Sequence, residues 1–199
     1  MRDPLRIAVL GSGRGSNFHA ILSAMHEGRI PNADVRLVIS NNSKAGILEL
    51  ASANGIPAEH LSEKQCGSEE AFVARLLTLL QRHEINFIVL AGYMKRVPRR
   101  VIEQFRHRII NIHPALLPKF GGPGMYGTHV HEAVIRYGDR VSGATVHLVD
   151  EAYDHGAIVL QKSVAVEPHD TAESLAAKVL KIEHEIYPEA IRMIAEGRA

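Results

Sequence analysis

Leu5-Arg6-Ile7-Ala8-Val9-Leu10-Gly11-Ser12-Gly13-Arg14-Gly15-Ser16-Asn17-Phe18 is the stretch that decides the fold. Its first six residues are an apolar run broken only by Arg6, the pattern of a buried parallel strand. Gly11 to Asn17 then form a small, polar, glycine-rich loop. From Phe18 the apolar period changes: Phe18, Ile21, Leu22 and Met25 lie on one face of a helix. Ser16 or Asn17 is the expected N-cap, and Gly28 the expected stop. Strand, glycine loop and helix in that order form the first half of a βαβ unit, which needs a parallel partner strand.

The rest of the chain supplies partners. Val35–Ile39, Pro57–Leu61, Asn86–Leu90, Ile109–Ile112, Gly143–Val149 and Ala157–Val166 read as further strands. Helices are expected over Lys44–Asn54, from a Ser68 cap with Glu69 and Glu70 in the first turn, after Pro98, and over Thr128–Tyr137. A long C-terminal helix is expected from an Asp170–Glu173 capping box, bent at Pro188. The class is α/β: one domain with a mostly parallel sheet of about seven strands flanked by helices.

Composition narrows the function. The 199 residues are 46% hydrophobic and 23% charged, with net charge +1, so no global pull toward nucleic acid is expected. The single cysteine, Cys66, excludes an internal disulfide and a multi-cysteine metal site. No apolar run approaches the ~20 residues of a membrane span, and no signal-peptide core follows Met1, so the expected compartment is the cytoplasm. His129-Val130-His131 falls in an early helix turn, where positions two apart diverge, so no metal is expected there.

Asn111-Ile112-His113-Pro114 carries the chemistry. Positions two apart on a strand share one side, so the Asn111 amide and the His113 imidazole emerge together. Pro114 cannot continue a central strand, which places both at a strand's C-terminal end, where open α/β sheets bind ligands. These side chains are the donors that a developing oxyanion needs. Asp154, in the acidic connector 150–156, is the carboxylate expected beside the histidine, favouring its charged form. In Ala115-Leu116-Leu117-Pro118 a cis Leu117–Pro118 bond is one way to make the turn. The first glycine loop lacks the third glycine of a dinucleotide fingerprint, because Ser16 stands there. Ser40, Asn41 and Asn42 end the second strand without an acid for a ribose, which argues against NAD and for a monophosphate site.

Further motifs are Leu90-Ala91-Gly92-Tyr93-Met94, Gly143-Ala144-Thr145-Val146-His147, Tyr153-Asp154-His155-Gly156 and Glu183-His184-Glu185-Ile186-Tyr187-Pro188. With the glycine loop and Asn111-Ile112-His113-Pro114 they resemble the phosphoribosylglycinamide formyltransferases, folate-dependent enzymes of purine synthesis. The resemblance runs from about Leu5 to Arg198. It implies a formyltransferase-type Rossmann-like fold, with a nucleotide-phosphate half over about 1–100 and a folate and catalytic half over about 85–199. It implies 10-formyltetrahydrofolate as cosubstrate, with no metal. Asn111, His113 and Asp154 are the implied catalytic set. Gly15, Ser16, Asn17 and Glu183 are the implied contacts to phosphoribosylglycinamide. Met94, Lys95, Arg96, Val97 and Asn111 are the implied folate contacts. Small-molecule partners, no nucleic acid, no membrane, and a monomer or homodimer follow from the same resemblance. Glu69 stands where the family often has a basic residue.

Other enzymes share the Asn-x-His core. Methionyl-tRNA formyltransferase is expected to add a C-terminal RNA-binding domain, and formyltetrahydrofolate hydrolase an N-terminal regulatory domain. A non-enzymatic nucleotide-binding module built on the Gly13 loop leaves Asn111, His113 and Asp154 unexplained.

Overall fold

A computed structural model describes residues 3–198. The strands are β1 (Leu5–Leu10), β2 (Ala33–Ser40), β3 (Ala58–His60), β4 (Phe87–Leu90), β5 (Ile109–His113), β6 (Val141–Leu148) and β7 (Ile158–Ala165). They form one sheet in the order β3-β2-β1-β4-β5-β6-β7. The first five are parallel; β6 and β7 are antiparallel additions. The chain winds outward from β1 to β3, then crosses back to β4 on the other side of β1. That reversal leaves a crevice between the C-terminal ends of β1 and β4, where open α/β sheets take their ligands.

The helices are α1 (Ser16–His26), α2 (Gly46–Ala53), α3 (Glu63–Cys66), α4 (Glu69–Arg82), α5 (Arg99–Gln104), α6 (Thr128–Tyr137) and α7 (Ala172–Glu196). Alternation along β1 sends Ile7 and Val9 into a core shared with α1 and α7. It sends Ala8 and Leu10 into a second core shared with α4 and α5. Phe18 and Tyr187 are fully buried in the first core, and cutting Phe18 to alanine would cost about 3–5 kcal/mol. The Tyr187 hydroxyl donates to the carbonyls of Leu90 (2.9 Å) and Ile110 (3.3 Å), which keys α7 to the ends of β4 and β5.

Two local expectations are corrected. Gly15, not Ser16 or Asn17, precedes α1 as its cap, with φ 85° and no side-chain hydrogen bond; the Asn17 side chain is committed elsewhere. The box that opens α7 is Thr171 with Ser174, one residue beyond the Asp170–Glu173 reading. Asp170 instead accepts from Ser174 Oγ at 2.7 Å and Lys178 Nζ at 2.6 Å. The helix continues unbroken through Pro188. The short α3, capped by Ser62, has no apolar period to betray it. The Ser68 cap of α4 is as expected, accepting from Ala71 N at 3.2 Å, and the Leu117–Pro118 bond is cis.

Candidate active site

Built on β1, the glycine loop leads straight into α1. The first intrahelical bond runs from His19 N to Gly15 O at 2.8 Å, so the N–H groups of Ser16, Asn17 and Phe18 precede the ladder. Ser16 and Asn17 border a pocket of about 220 Å³ lined by Ser12 to Asn17, Ala91, Gly92 and Met94. A helix N-terminus with free donors favours an anion such as a phosphate. Gly15 is required twice over: φ is 85°, and a Cβ there would stand 3.0 Å from Ile47 of α2. Ser12 Oγ stitches the loop to the next strand end, donating to Asn41 Oδ1 (2.5 Å) and accepting from Met94 N (2.8 Å).

Asn17 reaches across the fold instead of capping. Its Nδ2 donates to Glu183 Oε2 of α7 at 2.6 Å, between residues 166 apart in sequence. Burial pushes the Glu183 carboxyl above its usual range, and the Asn17 bond only partly offsets this.

The Asn111 and His113 side chains lie on one face of β5, as expected. The antiparallel register puts His147 opposite Asn111 and Thr145 opposite His113 on the same face. His147 Nδ1 is 2.9 Å from the Leu148 carbonyl, and its Nε2 lies 3.2 Å from Asn111 Nδ2. The turn after His113 is clamped by Thr145, whose Oγ1 donates to Ala115 O (2.6 Å) and accepts from Leu117 N (3.1 Å) and Gln161 Nε2 (2.8 Å).

Asp154 stands where the connector folds back. Its Oδ2 is 3.5 Å from His113 Nδ1, and its Oδ1 is 3.6 Å from His147 Nε2. Gly122 N donates to Oδ2 at 3.0 Å. Asp154 has φ 54° and Phe120 has φ 57°, a conformation that costs a non-glycine residue roughly 1–2 kcal/mol. Each makes a contact to the histidine: the Phe120 carbonyl accepts from His113 Nε2 at 2.8 Å. Gly121 lets the loop approach, since a Cβ there would meet Leu117 at 2.6 Å and Asp154 at 3.2 Å.

The electrostatics correct one expectation. Burial pushes the His113 imidazole below its usual value and outweighs Asp154 and the Phe120 carbonyl, which pull it up. The ring is therefore neutral at rest, with Nε2 protonated and Nδ1 free, rather than a standing cation. For Asp154 burial acts upward, but His147, His113 and the Gly122 N–H together hold the carboxyl below its usual range. A fixed carboxylate thus waits beside a neutral base.

A cleft of about 680 Å³ joins these parts, running from Arg14, Ser16 and Asn17 past Asn111 and His113 to Asp154. One wall is Leu90 to Val97, facing the connector Asp150 to Asp154. Met94 is exposed and Val97 is buried in the floor. Arg96 ties the two sides, donating to Glu151 O at 2.9 Å with its guanidinium 6.0 Å from the Tyr153 ring centre. Lys95 lines the cleft. Glu69 begins α4 and does not line it.

Residues 5–191 match the formyl transferase family. The chain belongs to that family. Among formyl transferases, it is 43% identical to the chloroplastic phosphoribosylglycinamide formyltransferase of Vigna unguiculata over 97% of its length. It spans 62% of that relative, less than two thirds. It is 36% identical to the phosphoribosylglycinamide formyltransferase of Bacillus subtilis, covering 95% of this chain and 94% of the relative. The crystal structure of glycinamide ribonucleotide transformylase 1 from Symbiobacterium toebii superposes with a TM-score of 0.92 at 42% identity. That match covers all of this chain and 91% of the other. The single α/β formyltransferase fold read from the sequence is therefore the fold of this chain.

Every site residue named from the sequence lies on or beside the cleft, Gly15 through the smaller pocket. Sequence reasoning gave no role to His147. The signal was present: Thr145 and His147 are a polar pair two apart on a strand, mirroring Asn111 and His113. Among the described residues, no cluster of three His, Cys, Asp or Glu side chains is placed to hold a metal, and no helix is long and apolar enough to cross a membrane.

Proposed function

We propose that this chain transfers the formyl group of 10-formyltetrahydrofolate to the amino group of 5′-phosphoribosylglycinamide, a step of purine synthesis. One observation carries the reading: an anion pocket at a helix N-terminus opens beside a cleft whose wall holds an amide, two imidazoles and a carboxylate. The relatives' names supply the two substrates.

In this reading Gly15, Ser16 and Asn17 hold the phosphate, and Glu183 contacts the same substrate. Met94, Lys95, Arg96, Val97 and Asn111 border the folate. The chain then divides into a phosphate half over about 1–100 and a folate and catalytic half over about 85–199. The amine nitrogen attacks the formyl carbon, and the carbonyl oxygen becomes an oxyanion that Asn111 Nδ2 stabilises. The attacking nitrogen sheds a proton, which His113 takes at Nδ1, and Asp154 holds the imidazolium so formed. The same proton passes to the departing folate nitrogen as its bond to the formyl carbon breaks. No covalent intermediate and no metal is needed. Holding both substrates in place contributes about 7–11 kcal/mol to lowering the barrier.

The partners proposed are these small molecules, with neither nucleic acid nor membrane. The proposed assembly is a monomer or homodimer, and the proposed compartment is the cytoplasm. Mixing purified protein with both substrates should yield formylated phosphoribosylglycinamide in step with tetrahydrofolate, without tRNA. Release of free formate with no dependence on the amine would overturn the reading in favour of hydrolysis.

A further inference from the structure

Lys119 and Phe120 are the middle residues of a turn that Gly121 N closes onto Pro118 O at 3.4 Å. Phe120 holds φ 57°, a conformation that glycine takes freely and that a bulky residue keeps only when its surroundings hold it there. The end of α6 supplies that hold. The Phe120 ring meets Tyr137 edge to face, 5.7 Å between centres at 70°. Lys119 Nζ stands 5.0 Å over the Phe120 ring and donates to both carboxylate oxygens of Asp139, at 2.7 and 2.5 Å. Tyr137 itself is 68% exposed, an aromatic left on the surface beside this turn.

What the turn presents to the site is one carbonyl. Phe120 O lies 2.8 Å from His113 Nε2, while Asp154 Oδ2 lies 3.5 Å from Nδ1. A neutral imidazole carries one ring proton, and these two acceptors compete for it. The nearer carbonyl keeps the proton on Nε2 and leaves Nδ1 as a lone pair. Were Phe120 O to withdraw, Nε2–H would lose its acceptor, and the carboxylate would draw the proton to Nδ1. The ring would then have no base at the atom that faces Asp154. We propose that Lys119, Tyr137 and Asp139 are positioning residues for His113: they clamp the Phe120 turn, whose carbonyl selects the tautomer with Nδ1 free. The consequence for turnover rests on the function proposed above, in which Nδ1 takes the proton. None of the three side chains lines either pocket, so their effect on the reaction passes through the turn.

The test is Tyr137→Ala, with Tyr137→Phe as the variant that keeps the ring. In the ligand-free unaltered protein at about pH 7.5, above the ordinary histidine pKa, the ¹⁵N signals of His113 should show Nε2 protonated and Nδ1 bare. In Tyr137→Ala the ratio of Nε2-protonated to Nδ1-protonated rings should fall about three- to tenfold, the shift that one lost aromatic pair supports. The kcat should fall with the share of rings that keep Nε2 protonated, while the KM for each substrate stays within about a factor of two, as expected of a group that acts only on the reacting step. Tyr137→Phe should restore both the signals and kcat. Asp139→Asn, which loosens Lys119, should move both readouts the same way by less, since that ion pair is half exposed. A Tyr137→Ala protein that is folded by circular dichroism and keeps the His113 signals of the unaltered protein would overturn the inference, and so would a fall in kcat with no change of tautomer. If the unaltered protein does not formylate 5′-phosphoribosylglycinamide, the proposed function fails; the ¹⁵N signals, read without substrate, still decide whether the clamp sets the ring.

Discussion

Replacing Asp154 by asparagine tests the catalytic assignment with little change of shape. The amide oxygen can still accept from Gly122 N, as Oδ2 does now at 3.0 Å. What disappears is the charge, 3.5 Å from His113 Nδ1, between side chains 11% and 4% exposed. A unit pair at about 4 Å is worth ~4 kcal/mol at an effective dielectric of 20, which sets an upper bound. Opposite charges at this range move a pKa by roughly 1–3 units, so imidazolium formation in the transition state becomes about 10- to 10³-fold harder. The plateau kcat should fall by that factor while the affinity for phosphoribosylglycinamide holds. The pH profile adds a sign. His113 acts as a base here, so kcat rises with pH through its pKa. Removing the carboxylate lowers that pKa further, and the rising limb should move to lower pH. Stopped assays over pH 4.5–8, with circular dichroism on the same samples, decide it. A folded Asp154→Asn protein with an unchanged plateau, or with its limb moved upward, would refute the mechanism.

Three further outcomes follow from the same geometry. Gly15→Val, at φ 85° with Ile47 3.0 Å from the added Cβ, should lower Tm and sharply weaken phosphoribosylglycinamide binding while folate still binds; an unchanged nucleotide affinity by calorimetry would remove the phosphate assignment. Saturating folate should slow amide exchange across residues 150–156, and unaltered exchange there would count against placing the pteridine beside the connector. Burial lowers the pKa values of His113, His131 and His184. Below about pH 6.5 the unfolded chain binds protons that the folded chain refuses, so Tm should fall as pH drops from 6.5 to 5. Asp154 does not mask this, because the stability from its depressed carboxyl is lost only at lower pH, as its own folded pKa is crossed; the raised Glu183 carboxyl works in the opposite direction, but it is one group against three histidines. A flat or rising Tm over that window would contradict the buried, neutral histidines.

Legibility in the sequence followed the range of the interaction. The β1 strand, its glycine loop and α1 are one local pattern of periodicity change, and they stand where that pattern put them. Asn111 and His113 were legible because strand alternation and a following proline act over four residues. His147 was legible only as half of a polar pair on a strand; that it faces Asn111 was not, because cross-strand register is set by tertiary pairing. The Asn17–Glu183 bond was equally out of reach of local reasoning, and it explains the wrong cap: the amide that propensity sends to the helix end is used by a distant carboxyl. The resting charge of His113 was misread because a nearby acid is visible in sequence, whereas the depth of burial that outweighs it is not.

The pairing of β5 with β6 has a consequence for variation. His113 and His147 are separated by the loop 114–127, α6 and a turn, yet the antiparallel ladder alone fixes Asn111 against His147 and His113 against Thr145. Residues inserted or deleted beyond Gly122, between Pro123 and Gly127, are absorbed before the chain re-enters the sheet at Val141. A single-residue slip within the ladder would instead turn His147 to the opposite face of the sheet. The part of the excursion between Pro123 and Gly127 can therefore be remodelled toward new ligands without disturbing the reacting groups, while the eight-residue strand that carries Thr145 and His147 is held nearly immutable.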